Sequence, residues 1–173
     1  MFSFTNKVVV VNGGTKGIGF AAAEALLSAG ASVVVSSRKK TNVTVAINDL
    51  RTGNRKVSDR VSGVVGDFSV EDDVHNVYLN AERTFGGIDI LINAAGISQG
   101  GKLWEISKED FQFIVQNNLL NCFLACKNVV SFMKKRGGGR IVNIASIAGR
   151  FRSKLAGVHY TASKAGVIAM NRQ

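Results

Sequence analysis

Proline is missing altogether from these 173 residues, while tryptophan occurs once and cysteine and tyrosine twice each. Without proline there are no proline-fixed turns or polyproline segments, so the loops must be made by glycine, of which there are 19. Two cysteines exclude a disulfide framework. Cys122 and Cys126 fall on one predicted helix, form no CxxC, and have only His75 and His159 as distant soft partners. They are expected to be small packed residues in a reducing compartment, with no metal bound. His75 reads as a surface helix position, and His159, beside Tyr160, as a residue that could line a pocket. Also missing is any apolar run near the ~18 residues needed to cross a bilayer. The opening seven residues lead straight into a strand and carry neither a secretory nor a transit pattern, so no membrane and cytoplasmic residence are the default expectations.

Acids are scarce as well: 12 against 22 Lys and Arg, for a net charge of +10. The bases concentrate in 38–60 and 134–154, whereas 61–133 is net acidic. No aromatic residues interleave with the basic runs and no nucleic-acid motif is present, so a solvated basic surface is expected. Nucleic acid is not expected as a partner, and a basic interaction module remains an alternative reading.

What is present alternates. β-branched runs near 7–11, 32–37, 61–66, 89–92 and 140–145 are separated by helical patterns near 17–29, 42–51, 71–85, 107–135 and 158 onward. That order predicts an α/β fold over 1–173 as one domain, with a parallel sheet and right-handed crossovers. Hydrophobic residues make up 46% of the chain, enough for a core.

Between the first strand and first helix stands Asn12-Gly13-Gly14-Thr15-Lys16-Gly17-Ile18-Gly19. Glycines there permit a tight turn and close approach of the backbone to a pyrophosphate, which the helix N-terminus then attracts. Gly13, Thr15, Lys16, Gly17, Ile18 and Gly19 are therefore candidate dinucleotide-binding residues. A 2′-hydroxyl-selective site would carry an acid at the end of the second strand, yet the sequence reads Ser36-Ser37-Arg38-Lys39. Ser37, Arg38 and Lys39, with Lys16, suit a 2′-phosphate, so NADPH is the expected cofactor. A solvated charged loop is the alternative for Arg38 and Lys39.

Near the carboxyl end, Tyr160 and Lys164 are one helical turn apart and share a face. A phenol titrates near pH ~10, and bringing one to neutrality takes roughly 4 kcal/mol of extra phenolate stabilisation, which an adjacent ammonium can help supply.

These motifs occur together with Asp67 and Phe68 in Gly-Asp-Phe-Ser, Asn93-Ala94-Ala95-Gly96, Asn118 in Asn-Asn-Leu-Leu, and Ser146 in Ile-Ala-Ser-Ile-Ala-Gly. In that order they make the whole chain resemble the classical short-chain dehydrogenase/reductase family, in particular its ketoacyl-carrier-protein reductase and carbonyl reductase branches. The resemblance implies a Rossmann-like, doubly wound, three-layer α/β/α sheet with strand order 3-2-1-4-5. It implies hydride transfer to a small-molecule carbonyl substrate, with Tyr160 as proton donor, Ser146 holding the carbonyl oxygen, Lys164 serving the tyrosine and the nicotinamide ribose, and Asn118 holding a relay water. Asp67, Phe68 and Asn93 to Gly96 would line the cofactor. An acidic acyl carrier protein would be a possible partner, and the full-length form would be a homo-oligomer. Against the family pattern, Asn12 replaces a usual Thr and Asn121 a common Gly. The sequence stops at Gln173, lacking the family's last strands and a Pro-Gly segment, so a fragment of a longer enzyme is expected, with an unpaired outer edge on the 140–145 strand. A catalytically idle dinucleotide binder is the competing reading.

Overall fold

Valine builds the centre of the sheet. The structure, a computed structural model, describes residues 3–52 and 59–172. Its strands are β1 (Val8–Asn12), β2 (Ser32–Ser37), β3 (Val61–Val65), β4 (Ile90–Asn93) and β5 (Arg140–Asn143). They form one parallel five-stranded sheet in the order β3-β2-β1-β4-β5, the order the resemblance implies. The helices are α1 (Gly17–Ser28), α2 (Lys40–Thr52), α3 (Glu71–Phe85), α4 (Lys108–Val115), α5 (Asn121–Lys135) and α6 (Val158–Met170).

Because side chains alternate along a strand, the valine runs of β1 and β2 feed two cores. Val9, Val11, Val33 and Val35 pack with Ala23 and Leu27 of α1 and Leu50 of α2. Val10 and Val34 pack on the other face with Val77 and Tyr78 of α3 and Leu124 and Phe132 of α5. Each fully buried aliphatic side chain is worth about 2 kcal/mol, which is why these two layers hold the sheet. Local signals agree with the packing. α3 opens on Glu71, Asp72 and Asp73, which favour its positive end, and closes on Gly86 at φ 83°, a left-handed cap that suits glycine.

One acidic residue ties the amino ends of the strands. Asp89, just before β4, accepts from the Val8 backbone N–H at 2.9 Å and from Arg136 Nη2 at 3.1 Å, with Lys7 Nζ at 3.8 Å. Burial pushes the Asp89 carboxyl up, but those hydrogen bonds and positive charges outweigh it and hold it below the usual carboxylate range.

The single helix expected over 107–135 is interrupted. Between α4 and α5 the chain widens into a π-helical turn, Gln116–Leu120. At its centre stands Asn118, whose amide is pinned to the main chain of Ile97 from both ends, accepting from its N–H at 2.8 Å and donating to its carbonyl at 3.0 Å. Such turns cluster at functional sites because they re-aim side chains relative to a regular helix.

β5 pairs with β4 alone among the described residues, so its outer edge is bare, as expected. Ile141 and Val142 are consequently 38% and 46% exposed. Arg55 and Lys56 of the first basic run, and Gln173, lie outside the described residues. Among the described residues no helix is long and apolar enough to cross a membrane.

Candidate active site

A crevice of about 330 Å³ opens at the carboxyl ends of the strands, beside β1 where the sheet order reverses. In open α/β sheets, ligands bind at that switch point. Gly13, Thr15 and Lys16 line one side, Ser37 and Arg38 follow from β2, and Ala94, Ala95 and Gly96 follow from β4. Phe68, almost fully buried, presents an edge to the crevice and packs its ring against Tyr78.

The glycines are required for different reasons. Gly13 has φ +75°, and a Cβ there would lie 2.6 Å from the Ala95 nitrogen; a Cβ on Gly19 would collide with the Gly13 carbonyl oxygen. Any side chain would therefore push the turn away from β4 or from α1. α1 begins with no side chain capping its first N–H groups, leaving a donor-rich, positive helix end at the crevice.

Several sequence candidates stand outside the crevice wall. Gly17, Ile18, Gly19 and Lys39 do not line the crevice, Ile18 being 66% exposed and Lys39 exposed as well. Asp67 turns inward to its own loop, accepting from the Ser69 N–H and hydroxyl at 2.9 and 2.8 Å. Conversely, Asn12, Asn42, Gly66, Ile97, Asn117 and Asn121 line the crevice and were not candidates. Gly66 and Asn117 stood inside the Gly-Asp-Phe-Ser and Asn-Asn-Leu-Leu motifs, while Asn12 and Asn121 were departures from the family pattern, and the structure joins these two: Asn12 Nδ2 donates to Asn121 Oδ1 at 2.7 Å.

That contact belongs to a row of amides. Asn12, Asn93 and Asn143 end three adjacent strands in register. Asn12 donates to Asn93 at 3.4 Å, Asn93 to Asn143 at 2.7 Å, and Asn143 to Asn171 beyond α6 at 2.6 Å. The two cysteines meet the same row: the Cys122 thiol donates to Asn143 Oδ1 at 3.1 Å, and Asn93 Nδ2 donates to Cys126 Sγ at 3.5 Å. Their surroundings are polar rather than purely apolar. The proximity of the two thiols lowers Cys126 against burial and, together with burial, pushes Cys122 up.

At the β5 side, Ser146 follows the strand and opens a 3₁₀ turn (Ile147–Gly149), its Oγ accepting from the Ala148 N–H at 3.2 Å. This turn lies tight against α6, since a Cβ on Gly149 would sit 2.8 Å from the Ala165 nitrogen. Lys164 is buried; its Nζ donates to the Ile144 carbonyl at 2.8 Å and lies 6.0 Å from the Tyr160 ring centre. A Cβ built on Gly96 would be 3.3 Å from both Lys164 Nζ and Asn118 Oδ1, so the ammonium reaches the Asn93–Gly96 segment. Burial lowers the pKa of Lys164, with the nearby Cys122 opposing. Asn118 Nδ2 also donates to Ser163 Oγ at 3.0 Å, and Ser163 in turn donates to the Tyr160 carbonyl at 2.7 Å. Ser163, absent from the candidates, thus ties the π turn to the backbone of Tyr160. His159 is fully buried with no hydrogen-bond partner on either ring nitrogen among the described residues, and it is not part of the crevice wall.

The sequence pattern of the short chain dehydrogenase family matches residues 7–173. The chain belongs to that family. It is 32% identical to the 3-oxoacyl-[acyl-carrier-protein] reductase FabG of Aquifex aeolicus, over 96% of this chain and 65% of the relative. It is also 32% identical to a 3alpha-hydroxysteroid dehydrogenase of Mediterraneibacter gnavus, over 96% of this chain and 66% of that protein. The crystal structure of gox2181 superposes with a TM-score of 0.91 at 32% identity, covering 98% of this chain and 65% of that one. The short-chain dehydrogenase chain thus spans about 65% of the length of these relatives. Members are oxidoreductases that use NAD(P). The residues present fit such a dinucleotide, with a glycine turn that a Cβ would fill, an uncapped helix end, and Lys16 and Arg38 on the crevice wall.

Proposed function

We propose that this chain binds NADPH and reduces a carbonyl to an alcohol. The observation that carries the reading is the meeting, at one end of one sheet, of the glycine cradle with the buried Lys164, whose ammonium adjoins both Gly96 and the Tyr160 ring. Bound in the crevice, NADPH would supply a hydride to the carbonyl carbon. Tyr160 protonates the carbonyl oxygen. Lys164, with one proton held by Ile144, has two more to offer to ribose hydroxyls, and its charge favours a phenolate beside it. Ser146 accepts from Ala148, which fixes its oxygen and leaves its own O–H free to hold the substrate oxygen. Asn118 positions: its amide is committed to Ile97 and Ser163, which sets the Gly96–Ile97 wall against the tyrosine helix.

NADPH is favoured over NADH because Lys16 and Arg38 line the crevice and no acid follows β2. The two named relatives act on different carbonyl or hydroxyl compounds by name, so a ketone or 3-oxoacyl thioester is the substrate class proposed. Exposed Arg150, Arg152 and Lys154, between the Ser146 turn and α6, suit an acidic acyl carrier protein. Exposed Phe111, Phe113, Leu120 and Phe123 on the α4–α5 side suit self-association as a homo-oligomer.

The test is NADPH oxidation with small ketones and with 3-oxoacyl thioesters, compared with NADH. Faster turnover with NADPH and loss of turnover in Tyr160→Phe support the proposal. Nucleotide binding with no turnover on either substrate class would leave the second reading, an idle dinucleotide binder.

A further inference from the structure

Arg38 and Asn117 stand on opposite walls of the crevice: one leaves the end of β2, the other sits in the π turn between α4 and α5. Arg38 Nη1 donates to Asn117 Oδ1 at 3.1 Å, across 79 positions of sequence. Asn117 is itself tied down, its Nδ2 donating to the Phe113 carbonyl at 2.8 Å. An amide presents its oxygen and nitrogen in diverging directions, so anchoring the nitrogen aims the oxygen. The acceptor offered to Arg38 is thus fixed by the helix wall rather than by a swinging side chain.

We propose that Asn117 is a positioning residue for nucleotide discrimination, holding the Arg38 guanidinium across the crevice so that its remaining donors receive a phosphate on the adenosine ribose. This rests on the NADPH reading above and extends it to a residue on the far wall. A guanidinium has five N–H donors in a fixed fork, and the bond to Asn117 uses one. An unrestrained surface arginine loses rotamer freedom when it captures an anion; one already held at the crevice loses less. The π turn matters here because it departs from the α-helical register at this segment, and with it the direction in which Asn117 faces.

The experiment is titration calorimetry of the whole chain with adenosine 2′,5′-bisphosphate and with adenosine 5′-monophosphate, which differ only in the 2′-phosphate. The wild-type chain should prefer the bisphosphate. Asn117→Ala should lower that preference about fivefold, one net hydrogen bond's worth, with the bisphosphate weakened more than the monophosphate. Asn117→Asp, which sets a carboxylate against the guanidinium, should lower it further. Arg38→Ala should lower it by at least about tenfold, and adding Asn117→Ala to Arg38→Ala should cost nothing more. Should Asn117→Ala keep the full preference while Arg38→Ala loses it, or weaken both nucleotides alike, the positioning role is overturned and the NADPH reading stands. A preference that survives Arg38→Ala overturns the positioning role and leaves the NADPH reading resting on Lys16; a wild-type chain that shows none, or binds neither nucleotide, overturns both.

Discussion

β1 and β5 are built from similar residues and end in the same residue type, yet they live in different surroundings. Val9, Val10 and Val11 of β1 are fully buried, with β2 and β4 on either side and helices above and below. Ile141 and Val142 of β5 are over a third exposed, with β4 as their one strand neighbour among the described residues. Burial is a property of neighbours, and β propensity alone does not distinguish the two strands. The nucleotide cradle is therefore mounted on the dense half of the sheet, and the Ser146 turn on the thinly covered half. Stability and chemistry should respond to mutation in different places.

The largest expected effect isolates the chemistry. Tyr160→Phe should reduce kcat by about 10³, within the range for losing a general acid, with the NADPH dissociation constant unchanged. A parallel loss of nucleotide affinity would mean the two halves are not separable. Next comes packing. Leu91→Ala in β4, fully buried, should destabilise by about 3 kcal/mol in urea melts, whereas Val142→Ala in β5 should stay within about 0.5 kcal/mol. Equal losses would erase the contrast between the strands.

A smaller effect concerns pH. The Asp89 carboxyl is held below its unfolded value, so its contribution is present above pH ~4 and is lost as pH falls through the folded value. Asp89→Asn should destabilise by about 2 kcal/mol at neutral pH and flatten the acid limb of the stability profile; an unchanged acid limb would show that the Val8, Arg136 and Lys7 contacts carry no net weight. Smallest is the pair on the crevice floor. Asn12→Thr and Asn121→Gly should each destabilise, and the double variant should cost less than their sum by about 1 kcal/mol, because both break the same 2.7 Å bond. Simple additivity would mean that the two departures arose independently of one another.

Much of this could be read beforehand, for identifiable reasons. The valine runs and glycine turn announce strand, loop and helix because their signals are local. Gly13, Thr15, Lys16, Ser37, Arg38 and Ala94 to Gly96 could be placed at the crevice for the same reason, with the resemblance supplying strand order. The π turn was not legible: a widened turn leaves the apolar spacing around 107–135 close to that of a continuous helix. Nor was the Arg38–Asn117 contact, whose partners come from opposite walls, or the inward turn of Asp67, which depends on Ser69 offering it two donors. His159 read as a pocket residue because adjacency to Tyr160 in sequence says nothing about facing: one step along a helix turns a side chain by about 100°.

The asparagines that end β1, β4 and β5 have a further consequence. Each gives its amide hydrogen toward the next, from Asn12 through Asn93 and Asn143 to Asn171, so the row has a head and a tail. Turning over either middle amide, Asn93 or Asn143, would bring oxygen against oxygen on one side and hydrogen against hydrogen on the other. The polarity of the cradle's first strand is thereby handed, link by link, to the far end of the tyrosine helix.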